Sequence, residues 1–435
     1  MEKIECKLCG HPQTHKHGKM PNGHQRYYCP LCKQTFVETL DTIYYYRHVS
    51  PEKMQEVLQA HSPNITLMHN PQINSINICS ETLHSSEFSK APPSTSENTQ
   101  PQFREDLRDA PEIRTFYDRP SCPLATLETL ITEQDCRLLT ITGMNGIGKS
   151  AIVRHLIPQI ANQFDRIIWR SLRTSPSLET TLKNLIQFIS EQTDIDFPIN
   201  INEQLSLLIE LLRKYRCLII LDDVQCILNS GQIAGNYKPG YENYGTLFKL
   251  MGEIPHCSCL ILNSWEPPID ILTFTEDNSK VCLLQLTGLG ESATEILRDK
   301  GLLDEEQWAD LINFYHGNPL WLKLVAQTIH NLFGGKVSQY LSYEPVFLGD
   351  ELTPILQQHY QRLSAIEKQA IAQLSTETEP ISLTQLMAKY QGDHSDLFKA
   401  IQSLVRRGMI EKSLEDAETI LTISSLLKQY IKIEI

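Results

Sequence analysis

Gly143-Met144-Asn145-Gly146-Ile147-Gly148-Lys149-Ser150 fits the spacing G-x-x-x-x-G-K-[ST]. Small residues at these positions let the backbone wrap a phosphate, with its N–H groups pointing inward at a helix N-terminus. Lys149 would then reach the β- and γ-phosphates, and the Ser150 hydroxyl would bind Mg²⁺. Downstream, Asp222-Asp223 closes the apolar run Cys217-Leu218-Ile219-Ile220-Leu221. A carboxylate at the end of a buried strand supplies the other half of a Mg²⁺ site, so Asp222 is the expected metal ligand. Asp223 is the candidate general base for an attacking water; the alternative is an N-cap for Val224–Leu228. Near the N-terminus, Cys6-Lys7-Leu8-Cys9 and Cys29-Pro30-Leu31-Cys32 form two C-x-x-C pairs. Cys6, Cys9, Cys29 and Cys32 at this spacing fit a tetrahedral structural Zn²⁺ site. The polar segment between them lacks a core of its own, and metal binding would supply the folding energy.

These groups need elements to hold them. Arg137–Thr142 reads as a buried strand entering the glycine loop, and Ala151–Ile157 as a helix leaving it. Phe164–Arg170, Cys217–Asp223 and Cys259–Ser264 read as further strands, with helices over Leu178–Ser190 and Asn202–Tyr215. Such alternation predicts a parallel sheet covered by helices, which binds ligands at the carboxyl ends of its strands. Further on, Asp310–Tyr315 and Leu320–Phe333 are helical by apolar spacing, joined by Gly317-Asn318-Pro319. Thr353–Leu363, Ser364–Leu374, Leu383–Tyr390 and Asp396–Arg407 read as helices. The strands Met409–Leu414 and Thr419–Ile423 follow, completing a winged-helix pattern.

The expected organisation is a zinc ribbon over residues 1–60 and a flexible linker over 61–110. A P-loop nucleotide-binding domain of three-layer α/β type follows over 111–289. A small helical domain over 290–349 and a winged-helix domain over 350–435 complete the chain. The linker is read from its Ser, Asn, Thr, Pro and Gln content.

A net charge of −13 argues against coating nucleic acid with the whole surface. Residues 1–33 nevertheless carry six cations against two carboxylates and the pair Tyr27-Tyr28. This segment is therefore a candidate contact for DNA, or equally for protein. The twelve cysteines are scattered, some within apolar runs. With no signal-peptide pattern at the first residues, they fit a reduced, cytoplasmic chain. No apolar run approaches the roughly 18 residues that span a bilayer, so no membrane partner is expected.

The run Gly23–Phe36 resembles the N-terminal zinc ribbon of insertion-sequence transposase accessory proteins. There the ribbon precedes a helix-turn-helix; here one helical stretch, Pro51–Gln59, follows. Over residues 111–435 the chain resembles NB-ARC ATPases of the STAND class, in their bacterial branch. The resemblance rests on the glycine loop, Phe116-Tyr117-Asp118-Arg119, Trp169–Arg173, Leu221-Asp222-Asp223 and Gly317-Asn318-Pro319-Leu320. It implies an ATP/ADP switch, closed with ADP and oligomerising with ATP. It places Arg119, Gly143, Asn145, Gly146, Ile147, Gly148, Lys149, Ser150 and Ala151 around the phosphates, and Pro319 on the adenine.

Two departures concern hydrolysis. Trp265 stands where the family carries an arginine sensing the γ-phosphate, and Asp118 stands where it carries glycine. A Met-His-Asp element touches the ADP β-phosphate in the family; the matching run here is Ile423-Ser424-Ser425, so Ser424 is the candidate contact. The expected function is a nucleotide-binding switch with slow or weak ATPase activity. The alternatives are a DNA-binding regulator or mobile-element accessory ATPase using the ribbon, and a nucleotide-binding remnant without a sensor domain.

Overall fold

The computed structural model describes residues 14–19, 25–31, 33, 35–37, 103–191, 197–274, 279–343, 351–415 and 418–434. The chain divides into two compact units, Met1–Ser94 and Thr95–Ile435.

In the first unit, β1 (His15–Lys19), β2 (Gln25–Tyr28) and β3 (Thr35–Val37) form an antiparallel meander in that order. Cys29 follows β2 and is buried. The Lys33 N–H donates to the Cys29 carbonyl at 2.9 Å. Lys33 takes a left-handed conformation, φ 57°, so the chain reverses tightly after Cys29. Cys6, Cys9 and Cys32 lie outside the described residues, as does the helix expected over Pro51–Gln59.

The second unit begins with β4 (Arg104–Asp106), α1 (Leu124–Thr132), β5 (Leu138–Thr142) and α2 (Lys149–Ile160). Then come β6 (Arg166–Ser171), α3 (Leu178–Ser190), α4 (Ile201–Lys214) and β7 (Cys217–Asp222). α5 (Asn243–Glu253), β8 (Cys259–Ser264), α6 (Ile269–Phe274) and β9 (Val281–Gln285) complete the α/β part. The six strands are all parallel, in the order β4-β6-β7-β8-β5-β9. Every residue of β5, β7 and β8 is buried, as expected for central strands covered on both faces. α1 and α2 pack on one face through Leu127, Ile131, Ile152 and Leu156. The other face carries α3, α4 and α5 through Leu182, Leu208 and Phe248.

The sheet reaches into the segment expected to be linker. Arg104 pairs with Arg166 by backbone, and Asp106 takes the guanidinium of Arg170 at 2.6 Å. Three polar residues held by an ion pair at a sheet edge leave no apolar alternation to read.

After the sheet come α7 (Ala293–Asp299), α8 (Trp308–Phe314), α9 (Pro319–Phe333) and α10 (Val337–Leu341). They are followed by α11 (Thr353–Gln361), α12 (Ala365–Thr376), β10 (Ile381–Ser382), α13 (Leu383–Lys389) and α14 (His394–Arg406). The hairpin β11 (Glu411–Glu415) and β12 (Glu418–Thr422) and the helix α15 (Ser425–Glu434) end the fold. β10, β12 and β11 form a small antiparallel sheet in that order. α12 and α13 each start on a serine capping box, with Glu367 and Gln385 as the reciprocal partners. α7 through α15 share one apolar core, and Met144 of the glycine loop is inserted in it.

Candidate functional site

The glycine loop leaves the carboxyl end of β5, between β8 and β9 in the sheet. Gly143, Gly146 and Gly148 adopt φ of 143°, 83° and 106°, which residues with a Cβ rarely enter. Gly148 is the N-cap residue of α2, so the helix starts at Lys149. This is the anion-cradling arrangement that the spacing predicts.

Lys149 is nearly buried, and its Nζ donates to the carbonyls of Gly143 at 2.8 Å and Met144 at 3.1 Å. Burial pulls its ammonium down to about 8, against the opposing pull of Asp222, Asp223 and Glu266. The Ser150 hydroxyl donates to Asp222 Oδ2 at 2.8 Å. Burial first, and then the neighbouring Asp223, raise the Asp222 carboxyl above its ordinary range; the Ser150 hydrogen bond opposes them. A buried carboxylate short of positive charge beside a hydroxyl is a hard oxygen pair that fits Mg²⁺. Among the described residues no group of three or more His, Cys, Asp or Glu is placed to hold a metal. Mg²⁺ takes one or two protein ligands and completes its shell with phosphate and water.

Asp223 sits in the left-handed region at φ 58° and heads the short turn Val224–Ile227 without a side-chain cap. Its Oδ2 accepts from the Ser171 hydroxyl at 3.0 Å and faces Arg173 Nε at 3.3 Å. Its Oδ1 accepts from Gln225 Nε2 of that turn at 3.0 Å, so one carboxylate oxygen faces the cleft wall and the other the turn.

Asp222, Asp223, Asn145, Gly146, Gly148, Lys149, Ser150 and Ala151 line one cleft of about 650 Å³ with Trp265 and Leu320. An adjoining cavity of about 390 Å³ is lined by Phe116, Tyr117, Arg119, Gly146, Pro319 and Lys323. Arg119 is buried; its guanidinium donates to the Ile147 carbonyl at 2.7 Å and the Thr287 carbonyl at 2.9 Å. It therefore braces the loop from behind. Pro319 is the first residue of α9, and Asn318 caps that helix by accepting from Leu320 N–H and Trp321 N–H. Asn318 Nδ2 also donates to the Asn145 carbonyl at 3.0 Å, and a Cβ added to Gly146 would lie 2.4 Å from Leu320 Cβ. The start of α9 is seated directly on the loop.

Ser424 lies elsewhere. Its hydroxyl accepts from Leu427 N–H at 3.3 Å, at the start of α15, and it does not line the cleft. His359 of α11 is the residue of the C-terminal segment that meets the glycine loop at Asn145. His359 Nε2 accepts the Asn145 N–H at 3.0 Å, and its ring lies 4.2 Å from that of Trp265. Burial, followed by Lys149, Arg362 and Arg407, holds His359 down to about 3, so it is neutral and an acceptor. Local sequence hides this residue: with Leu356 and Leu363 it falls on the apolar face of a helix and reads as core. Arg407, a basic residue on the last long helix pattern, is buried against Glu367 at 2.8 Å and Glu266 at 3.1 Å. Arg362 joins Glu266 and lies 5.7 Å over the Trp265 ring.

The NB-ARC domain family matches residues 124–233, a span that holds the glycine loop and Asp222-Asp223. The chain is 39% identical over 323 residues to an uncharacterized WD repeat-containing protein of Nostoc sp., covering 71% of this chain and 26% of that protein. It is 31% identical over 103 residues to a probable disease resistance protein of Arabidopsis thaliana, covering 22% of this chain and 11% of that one. The chain therefore spans about a quarter or less of the length of these relatives. Among solved structures, a STAND protein with a tetratricopeptide repeat sensor from Pyrococcus horikoshii aligns at 20% identity and TM-score 0.39, over 75% of this chain and 44% of that one. A Walker-type ATPase of Pyrococcus abyssi aligns at 12% identity and TM-score 0.48, over 77% of this chain and 99% of that one. The match supports an NB-ARC-type nucleotide-binding domain over residues 124–233. Among the described residues no helix is long and apolar enough to cross a membrane.

Proposed function

We propose that this chain is an ATP/ADP-binding switch whose nucleotide state is coupled to assembly, with hydrolysis slow at most. One observation carries the reading: the glycine loop is gripped at a single residue, Asn145, by two other segments. Asn318 holds the Asn145 carbonyl, and His359 holds the Asn145 N–H. A ligand that reshapes this loop alters the seating of both segments together, and that is how binding energy shifts a conformational population. Lys149 and the loop N–H groups bind the phosphates, Ser150 and Asp222 hold Mg²⁺, and Pro319 and Arg119 border the base side. Asp223 serves as the base in whatever hydrolysis occurs. The segment α11–α15 with its small sheet is read as a winged helix, and His359 takes the part assigned above to Ser424. Fluorescent ADP titration tests the assignment: Lys149→Ala loses affinity by about tenfold or more, in line with a lost charged hydrogen bond. A variant with undiminished affinity overturns it. ATP-driven self-association is read from sizing with ADP and with a non-hydrolysable ATP analogue.

The first unit is read as a zinc ribbon that contacts DNA or protein. The turn from Cys29 to Lys33, closed by an N–H to carbonyl bond with Cys29 buried, favours a metal knuckle. Metal analysis of the purified chain tests it: one Zn²⁺ per chain is expected, lost in Cys29→Ser. Duplex binding that weakens steeply with salt would assign the contact to DNA.

A further inference from the structure

Asn263 is fully buried in β8, and neither its Oδ1 nor its Nδ2 has a hydrogen-bond partner among the described residues. A buried amide left unpaired costs about 1–3 kcal/mol per group, so one in a central strand calls for a cause. The strand register supplies it. Ser171 pairs with Asp222 across β6 and β7, and Leu221 pairs with Leu262 across β7 and β8. One step beyond Leu221 and Leu262 stand Asp222 and Asn263. Asn263 in turn pairs with Ile141 of β5. Side chains in one such row share a face. Ile141 lies in the core beneath α2, the helix that begins with Lys149 and Ser150. A polar row of Ser171, Asp222 and Asn263 thus crosses three strands under the glycine loop. Two of its members are already satisfied: Ser171 donates to Asp223, and Asp222 accepts from Ser150. Asn263 holds its donor and its acceptor in reserve.

We infer that Asn263 is a positioning residue of the metal–phosphate site, orienting the Asp222 carboxylate and the water around a bound Mg²⁺-nucleotide. This rests on the nucleotide-switch reading and on the fit of Ser150 and Asp222 to Mg²⁺. A carboxylate that ligates a metal is itself oriented by hydrogen bonds from behind, and losing such a partner typically lowers metal affinity by about 10–100-fold. With the Mg²⁺-nucleotide bound, the amide Nδ2 would donate to the carboxylate and Oδ1 would accept from a water proton, roles an aliphatic side chain cannot fill.

The test is a titration of fluorescent ATP analogue binding against Mg²⁺, with an EDTA arm, on wild type, Asn263→Leu and Asn263→Thr. Thermal unfolding reports folding for each. Asn263→Leu should bind nucleotide as wild type does in EDTA, keep or raise its unfolding midpoint, and need about tenfold or more Mg²⁺ for half effect. Asn263→Thr, with one hydroxyl restored, should recover part of that shift, and it stands as the measurement if the leucine variant does not fold. A wild-type Mg²⁺ midpoint in a folded variant overturns the role of Asn263 alone. A wild-type chain that binds no nucleotide, with or without Mg²⁺, overturns the switch reading and this role with it.

Discussion

Lys149 and His359, both proposed above to serve the nucleotide site, are buried among charged groups. Lys149, Arg362 and Arg407 all press on His359, which remains neutral and accepts from Asn145 N–H. Protonation would place a fourth cation among them and remove the acceptor. The folded value is depressed to about 3, while the unfolded chain titrates near its ordinary 6.5. Between those values the unfolded state binds the extra proton, so this contribution to stability is full above about pH 6.5 and declines as pH falls toward 3. Each pH unit in that window costs at most about 1.4 kcal/mol. Unfolding midpoints at pH 7.5 and 5.5 check this: His359→Gln should lose less between them than wild type. An equal loss would move the acid sensitivity to other groups. A second expectation concerns Asp222. Asp222→Asn removes the carboxylate but keeps a polar side chain, so nucleotide affinity in EDTA should hold while the gain from Mg²⁺ disappears.

Elements were legible wherever a local pattern encodes them. β7 and β8 fall at Cys217–Asp222 and Cys259–Ser264, as continuous apolar runs require. α3 occupies Leu178–Ser190, with Ser177 as its cap. The glycine loop was readable because the conformation its glycines adopt is a demand on residue type. β4 was not, since an edge strand of Arg-Glu-Asp owes its place to Arg170 and the β6 backbone. His359 was not, since its role depends on where α11 docks, and Asn263 hides inside an otherwise apolar strand. The seating of α9 is likewise a tertiary fact with a local mark, Gly146. Gly146→Ala meets both a positive φ and a Cβ 2.4 Å from Leu320 Cβ. It should cost about 2–4 kcal/mol and loosen α9 from the loop. Denaturant unfolding gives the cost, and hydrogen exchange over 318–324 gives the loosening. A variant as stable and as protected as wild type would contradict the contact.

Across the second unit, the α/β part meets the C-terminal segment at a buried charge cluster. Glu266, just past β8, is 1% exposed and pairs with both Arg362 and Arg407. Arg407 also holds Glu367, which accepts from the Ser403 hydroxyl at 2.6 Å. The Arg407 guanidinium further donates to the Gln232 carbonyl at 2.7 Å, tying α14 to the loop after β7. Two arginines against two buried carboxylates balance in charge, and removal of Glu266 takes the carboxylate from Arg362 and leaves Arg407 with Glu367 alone. Breaking a buried pair by deleting one member typically costs about 3–5 kcal/mol, far more than the pair contributes against an apolar replacement. Glu266→Gln should therefore weaken the docking of α11 and α14 on the sheet without touching a phosphate ligand. If the two parts separate as a switch requires, hydrogen exchange should rise over 353–376 and 394–407 while β5 and β7 stay protected. The same variant should self-associate at lower ATP analogue concentration than wild type, because the closed arrangement has lost stability and the phosphate site has not. Uniform destabilisation of both parts, with sizing unchanged, would mean that the cluster holds the fold together and does not set the balance between states.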